Sequence, residues 1–134
     1  MTLTRAGRIL RDDPHVRDEE DLLRRIHPSW INPKTGELLD LAFLDRRTDE
    51  VSVFRSELTT QQDVLRGWGW MGLAEVRAVI PREHNHGVTP DPDPLGGDAS
   101  HAVIFPLDPS LPGKRIKADA HRIALRARML VAPP

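Results

Sequence analysis

Residues 116–131 read IKADAHRIALRARMLV, and the placement of this stretch decides how the chain divides between helix and sheet. At about 100° per residue, Ile116, Ala120, Ile123, Ala127 and Leu130 share one face, and Ala118, Leu125 and Met129 share the opposite one. The spacing predicts a helix over residues 116–131 with two apolar stripes. A surface helix of a small domain needs one. The second stripe therefore points to contact with another molecule, unless another element of the same chain covers it.

Upstream of it, residues 101–105 (HAVIF) predict a strand, and residues 81–100, with four prolines and three glycines, predict a long loop. Residues 74–80 alternate Ala74, Val76, Ala78 and Ile80 against Glu75 and Arg77, the pattern of a half-buried strand. Thr60 and Asp63 form a capping box that opens a short helix over residues 60–66, with Gly67 closing it. The following Trp68-Gly69-Trp70-Met71-Gly72 is too rich in glycine to continue a helix, and lays two indoles across the core or a contact surface.

Residues 39–44 and 50–55 predict a hairpin, with Val51 and Val53 on one face and Ser52 and Phe54 on the other. Residues 18–26 predict a helix: acidic residues crowd the first turn, Arg24 and Arg25 occupy the last, and Pro28 stops it. Residues 1–16 are arginine-rich with a thin apolar pattern, and form a short helix or an arm. Together these elements predict one α+β domain over residues 1–134. A mostly antiparallel sheet of about four strands carries three or four helices packed on one face.

A chain of 134 residues can bury a core without staples. Its lack of cysteine excludes disulfides, thiolate metal sites and a cysteine nucleophile. Aromatic residues make up only 4% and include no tyrosine, so few large anchors are available for the core or for a binding surface. The net charge of −1 is unevenly spread. Six basic residues between Lys114 and Arg128 face Asp119 alone, whereas Arg82 faces Glu83, Asp91, Asp93 and Asp98. A slightly acidic chain favours pairing of these charges within the fold or with a partner over a polyanion footprint. No leader-like stretch and no apolar run of membrane-spanning length is present, so the expected location is cytoplasmic, with no membrane partner.

Three groups of residues are candidates for chemistry. His84, His86, Asp91, Asp93, Asp98 and His101 are of metal-ligand type, but loop spacing fixes no coordination geometry. Neither a metal nor another cofactor is expected. His27, His101 and His121, with neighbouring arginines, would be catalytic if the fold brought them into one cleft. A helix end, a strand start and a polar helix flank also accommodate them without any catalytic role. Arg115, Arg122 and Arg126 line one ridge of the final helix and are candidates for nucleic-acid contact, although stacking aromatics are lacking beside them.

Residues 22–30 (LLRRIHPSW), the Phe43…Ser52-Val53 pair, the His101-Ala102 strand start and Ile123-Ala124…Ala127-Arg128 together resemble a family of small bacterial proteins. That family has an Arg-Arg-Ile-x-Pro opening, a Ser-Val strand and a late His-Ala strand before a basic helix. The resemblance spans most of the chain and implies a compact α+β domain. It implies no activity and no catalytic residue, and the Pro/Asp-rich loop before His101 departs from the pattern. The expected function is that of a non-enzymatic accessory or adaptor protein. It would contact another protein subunit, or a second copy of itself, through Trp68, Trp70, Leu125 and Met129. The alternatives are a small hydrolase or nuclease-like enzyme using His27, His101 and His121, and a nucleic-acid-binding module.

Overall fold

The computed structural model describes residues 1–94 and 97–134. In chain order the elements are β1 (Thr2–Leu3), β2 (Ile9–Leu10), β3 (Asp21–Ile26), two 3-10 helices (Pro28–Trp30 and Asp40–Phe43) and β4 (Val51–Arg55). Then follow α1 (Gln61–Leu65), β5 (Gly72–Arg77), α2 (Val79–Glu83), β6 (His86–Pro90), β7 (His101–Pro106), α3 (Gly113–Arg126) and β8 (Arg128–Val131). β1 and β2 form a separate two-stranded ribbon. The other six strands make one sheet in the order β6-β7-β4-β3-β5-β8, with every neighbouring pair antiparallel.

The α+β class holds, with a larger sheet than expected and helices on both of its faces. On one face, α3 and the Asp40–Phe43 helix cover the main core. Leu22 and Ile26 of β3, Val51 and Val53 of β4, Ala102 and Ile104 of β7, and Ala120 and Ile123 of α3 meet there. Each large aliphatic side chain removed from water contributes about 1.5–3 kcal/mol, which makes this layer the main source of stability. The opposite face has two smaller covers. Val64 of α1 closes over Leu23, Phe54 and Leu73, and Leu10 of the ribbon closes over Val103 and Phe105. Gly87 belongs to this second layer, because a Cβ there would meet the Phe105 ring at 2.6 Å.

Several expected elements are corrected. Residues 18–26 do not form a helix; β3 lies between β4 and β5, and its register runs from Asp21↔Arg77 to Ile26↔Gly72. Leu22 and Leu23 are adjacent and both buried because both faces of that strand are covered. Residues 39–44 do not form a strand. They turn as the Asp40–Phe43 helix, so β4 pairs with β3 and β7 rather than with a hairpin partner. The strand at residues 74–80 ends at Arg77, and Ile80 enters the core from α2. The long loop at residues 81–100 contains the end of α2 and the whole of β6.

The helix expected over residues 116–131 ends at Arg126. Ala127 is extended, and the chain continues as β8 against the edge of β5. Met129 then packs into the helix-face core and Leu130 into the opposite cluster, the two-residue period of a strand. The second apolar stripe of the helix accordingly dissolves, and Leu125 alone remains on its exposed side.

Local capping follows the sequence. The Thr60 hydroxyl accepts from the Asp63 amide at 3.1 Å, and Gly67 turns the chain out of α1 at φ +77°. At the far edge of the sheet, the Asp12 carboxylate accepts the Val88 amide at 2.8 Å and the Asp13 amide donates to the Val88 carbonyl at 2.9 Å. Among the described residues, no helix is long and apolar enough to cross a membrane.

Candidate functional site

The face opposite α3 is covered at its two ends and open between them. β3 places Arg25 in that opening, two residues beyond Leu23 and on the same side of the strand. Its guanidinium carbon lies 4.6 Å from the Phe54 ring centre and 4.7 Å from that of Trp68. Its Nε donates at 2.7 Å to the Val64 carbonyl, one of the acceptors left free at the end of α1. Burial pushes the guanidinium below the usual arginine range, and the Asp98 charge partly opposes this. Its two Nη groups donate to no acceptor among the described residues, so the planar fork remains available.

His101 stands opposite Phe54 in the β4–β7 register, and the two rings meet edge to face at 5.4 Å. Its Nδ1 is 2.7 Å from Asp91 Oδ2. The Asp91 side chain is only 6% exposed and is held from its other oxygen by Arg8 Nη1 at 2.6 Å and by the Asp93 amide at 3.0 Å. Arg8 in turn pairs with Glu50. Burial works to raise the Asp91 carboxyl, but the bonds from Arg8, Asp93 and His101 outweigh it and hold the group below the ordinary carboxylate range. A histidine bonded to a carboxylate through Nδ1 presents Nε2 in a fixed direction.

Arg25, Ser52, Phe54, Asp98 and His101 line a cavity of about 300 Å³. The Asp98 carboxylate accepts the hydroxyl and amide of Ser100 at 2.6 and 2.9 Å, bonds that lower its pKa. A guanidinium, a hydroxyl, an oriented imidazole and a carboxylate thus meet beside one apolar wall.

The tryptophans continue this surface. Trp68 lies 6.2 Å from Trp70, Trp70 lies 5.4 Å from His27, and His27 lies 5.8 Å from Trp30. An unbroken row of planar groups therefore runs Trp30–His27–Trp70–Trp68–Arg25–Phe54–His101. Trp68 and Trp70 are 39% and 49% exposed. The Ser29 amide donates to His27 Nδ1 at 3.0 Å and fixes that ring beneath Trp70.

The remaining candidates lie elsewhere. His27 and His101 are separated in the row by Trp70, Trp68, Arg25 and Phe54, and His121 is exposed on α3 across the sheet, so the three histidines share no cleft. Leu125, 57% exposed, and half-buried Met129 line a groove of about 160 Å³ on the α3 side that neither Trp68 nor Trp70 lines. Arg115 and Arg122 both engage the buried Asp119. Arg126 faces a separate groove with Arg77, Arg128, Asp21 and Glu75. His86 is buried, with Nδ1 at 2.7 Å from the His84 carbonyl, and among the described residues no group of three metal-ligand side chains forms.

Sequence reasoning placed Asp91, Asp98 and His101 in one list of metal donors and so missed the Asp91–His101 pair. It assigned Arg25 to a helix end. The Ser52/Phe54 face was legible, but what stands on it depends on strand order. No family model, curated protein or solved structure matches the chain.

Proposed function

We propose that the protein is a non-enzymatic accessory protein that binds another protein through the open sheet face, with Trp68 and Trp70 as its anchors. One observation carries this reading: two adjacent indoles stay substantially exposed while each rests against a fixed group, Trp68 over the Arg25 guanidinium and Trp70 edge to face with the His27 ring. Exposed apolar groups that lie together, unlike single ones, mark contact surfaces on soluble proteins. Tryptophan and arginine also dominate the energetics of protein contacts, and a side chain ordered before binding loses little entropy on association. Leu125 and Met129 line a groove on the α3 side to which Trp68 and Trp70 contribute nothing, so this reading narrows to Trp68 and Trp70.

The other readings draw less support. Two of the three helix arginines proposed for nucleic acid already serve Asp119, and the histidines proposed for catalysis are dispersed.

The test is association measured in parallel for the wild type, the Trp68→Ala/Trp70→Ala variant and Leu125→Ala. Sedimentation reads self-association, and quantitative cross-linking in the native cell reads other partners. Loss of the same complex in the tryptophan variant only, by about 30-fold or more as for a hot-spot pair, supports the reading. A complex that survives that variant, or a monomer with no cross-linked partner, overturns it.

A further inference from the structure

The cavity beside the tryptophans contains chemistry that a protein contact does not use. We infer that it binds a small oxyanion, a phosphate or carboxylate group carried on a ring or short chain that lies against Phe54. Arg25 supplies the charge. Its guanidinium is clamped between the Phe54 and Trp68 rings and anchored through Nε, leaving the Nη pair for a bidentate oxyanion contact. Lysine could not be held flat in this way.

His101 supplies direction. Asp91 takes the Nδ1 side of its ring, and Arg8 and the Asp93 amide keep Asp91 from turning. Nε2 is left as the ring's free polar atom, on a side chain that lines the cavity. Ser52 adds a hydroxyl with no partner among the described residues. Three polar groups from β3, β4 and β7 therefore converge on one space, and each is positioned by the sheet rather than by a mobile loop.

Asp98 sets the selectivity. Its carboxylate sits at the same cavity and disfavours a bare polyanion, yet it can accept a hydrogen bond from a hydroxyl or amine. The fitting ligand thus has its anionic group toward Arg25 and a hydrogen-bond donor elsewhere. The volume of about 300 Å³ is at the small end of ligand pockets and suits a single substituted ring. Neither Trp68 nor Trp70 lines this cavity, but Trp68 packs on Arg25, so the two sites adjoin. Ser52, which touches neither indole, separates a failure of the cavity from a failure of the partner contact.

4-Hydroxyphenyl phosphate and 4-hydroxybenzoate are suitable probes, since they separate the two sources of oxyanion while sharing the ring and a hydroxyl donor for Asp98. Each is titrated into the wild-type chain while the imidazole resonances of His101 are followed by NMR. His121→Gln is the control on the opposite face. Saturable shifts at His101 are expected with at least one probe, together with at least tenfold weaker binding in Arg25→Gln. Should Arg25→Gln fail to fold, Ser52→Asp carries the test. It alters an exposed strand position, puts a second carboxylate into the cavity and is expected to abolish binding. No saturable shift with either probe overturns the inference, and so does undiminished binding in the folded Ser52→Asp variant.

Discussion

His86 illustrates how a single buried side chain links this fold to pH. Burial is the main influence on its ring and pushes its pKa below the ordinary histidine value; the bond to the His84 carbonyl and the Asp119 charge oppose this only in part. The unfolded chain takes up a proton at this residue near pH 6.5, where the native chain still resists it. Below that pH the unfolded state binds more protons, so stability falls as pH drops from about 6.5 toward the depressed native value, by at most about 1.4 kcal/mol per unit. Urea midpoints at pH 7 and pH 5.5 are expected to fall further for the wild type than for His86→Leu. Equal slopes would mean that the ring is not burdened by its burial. Such behaviour is invisible in the sequence, where His84 and His86 read as loop residues of metal-ligand type. Only the pairing of β6 with β7 puts His86 inside.

Among the elements, β5 shows most directly how one strand accepts another. At Gly72 a Cβ would approach the Val131 carbonyl oxygen to 2.7 Å and Pro133 Cδ to 2.8 Å. Gly72→Ala is therefore expected to push β8 from the sheet edge and to cost about 1–3 kcal/mol, as overpacking usually does. Amide exchange should accelerate over Leu73 and residues 129–131 while β6 and β7 remain protected; unchanged exchange at β8 would contradict the close approach.

The legibility of each element followed its dependence on distant partners. α1 was readable because Thr60, Asp63 and Gly67 settle it within eight residues. β3 was not, because Leu22, Leu23 and Ile26 make an acceptable helix edge and a strand covered on both faces shows no alternation. Its acidic beginning suggested a helix dipole, yet Glu20 is there to meet Arg55, with both contacts at 2.9 Å. For α3 the helix itself was legible but neither boundary was: it begins at Gly113 rather than Ile116 and ends at Arg126. Arg128–Val131 becomes a strand only because β5 offers an open edge. The candidate site is still less local. Arg25, Ser52 and His101 lie on three strands, and nothing short of the strand order brings them together.

At the scale of the whole molecule, the N-terminal ribbon is tied to the sheet by charge as well as by Leu10. Arg8 reaches Glu50 just before β4 and Asp91 just beyond β6, so one guanidinium joins segments far apart in sequence. The depressed Asp91 carboxyl fixes the sign of the acid response. Its contribution is complete above the unfolded carboxylate value of about 4 and is lost as pH falls through the lower native value. Acid titration of the wild type below pH 4 is expected to destabilise the fold more than the same titration of Asp91→Asn, which begins weaker but has no proton to gain there. A parallel acid response in the two proteins would remove Asp91 from the clasp. The two rims of the sheet are also unequal. Asp12 and Asp13 occupy the outward amide and carbonyl of Val88, so that rim has no free rung at this position on which a foreign strand could zip. Chain-to-chain lamination, the first step toward a fibril, is thereby steered to β8 at the other rim, a strand of only 4 residues, where the template is short.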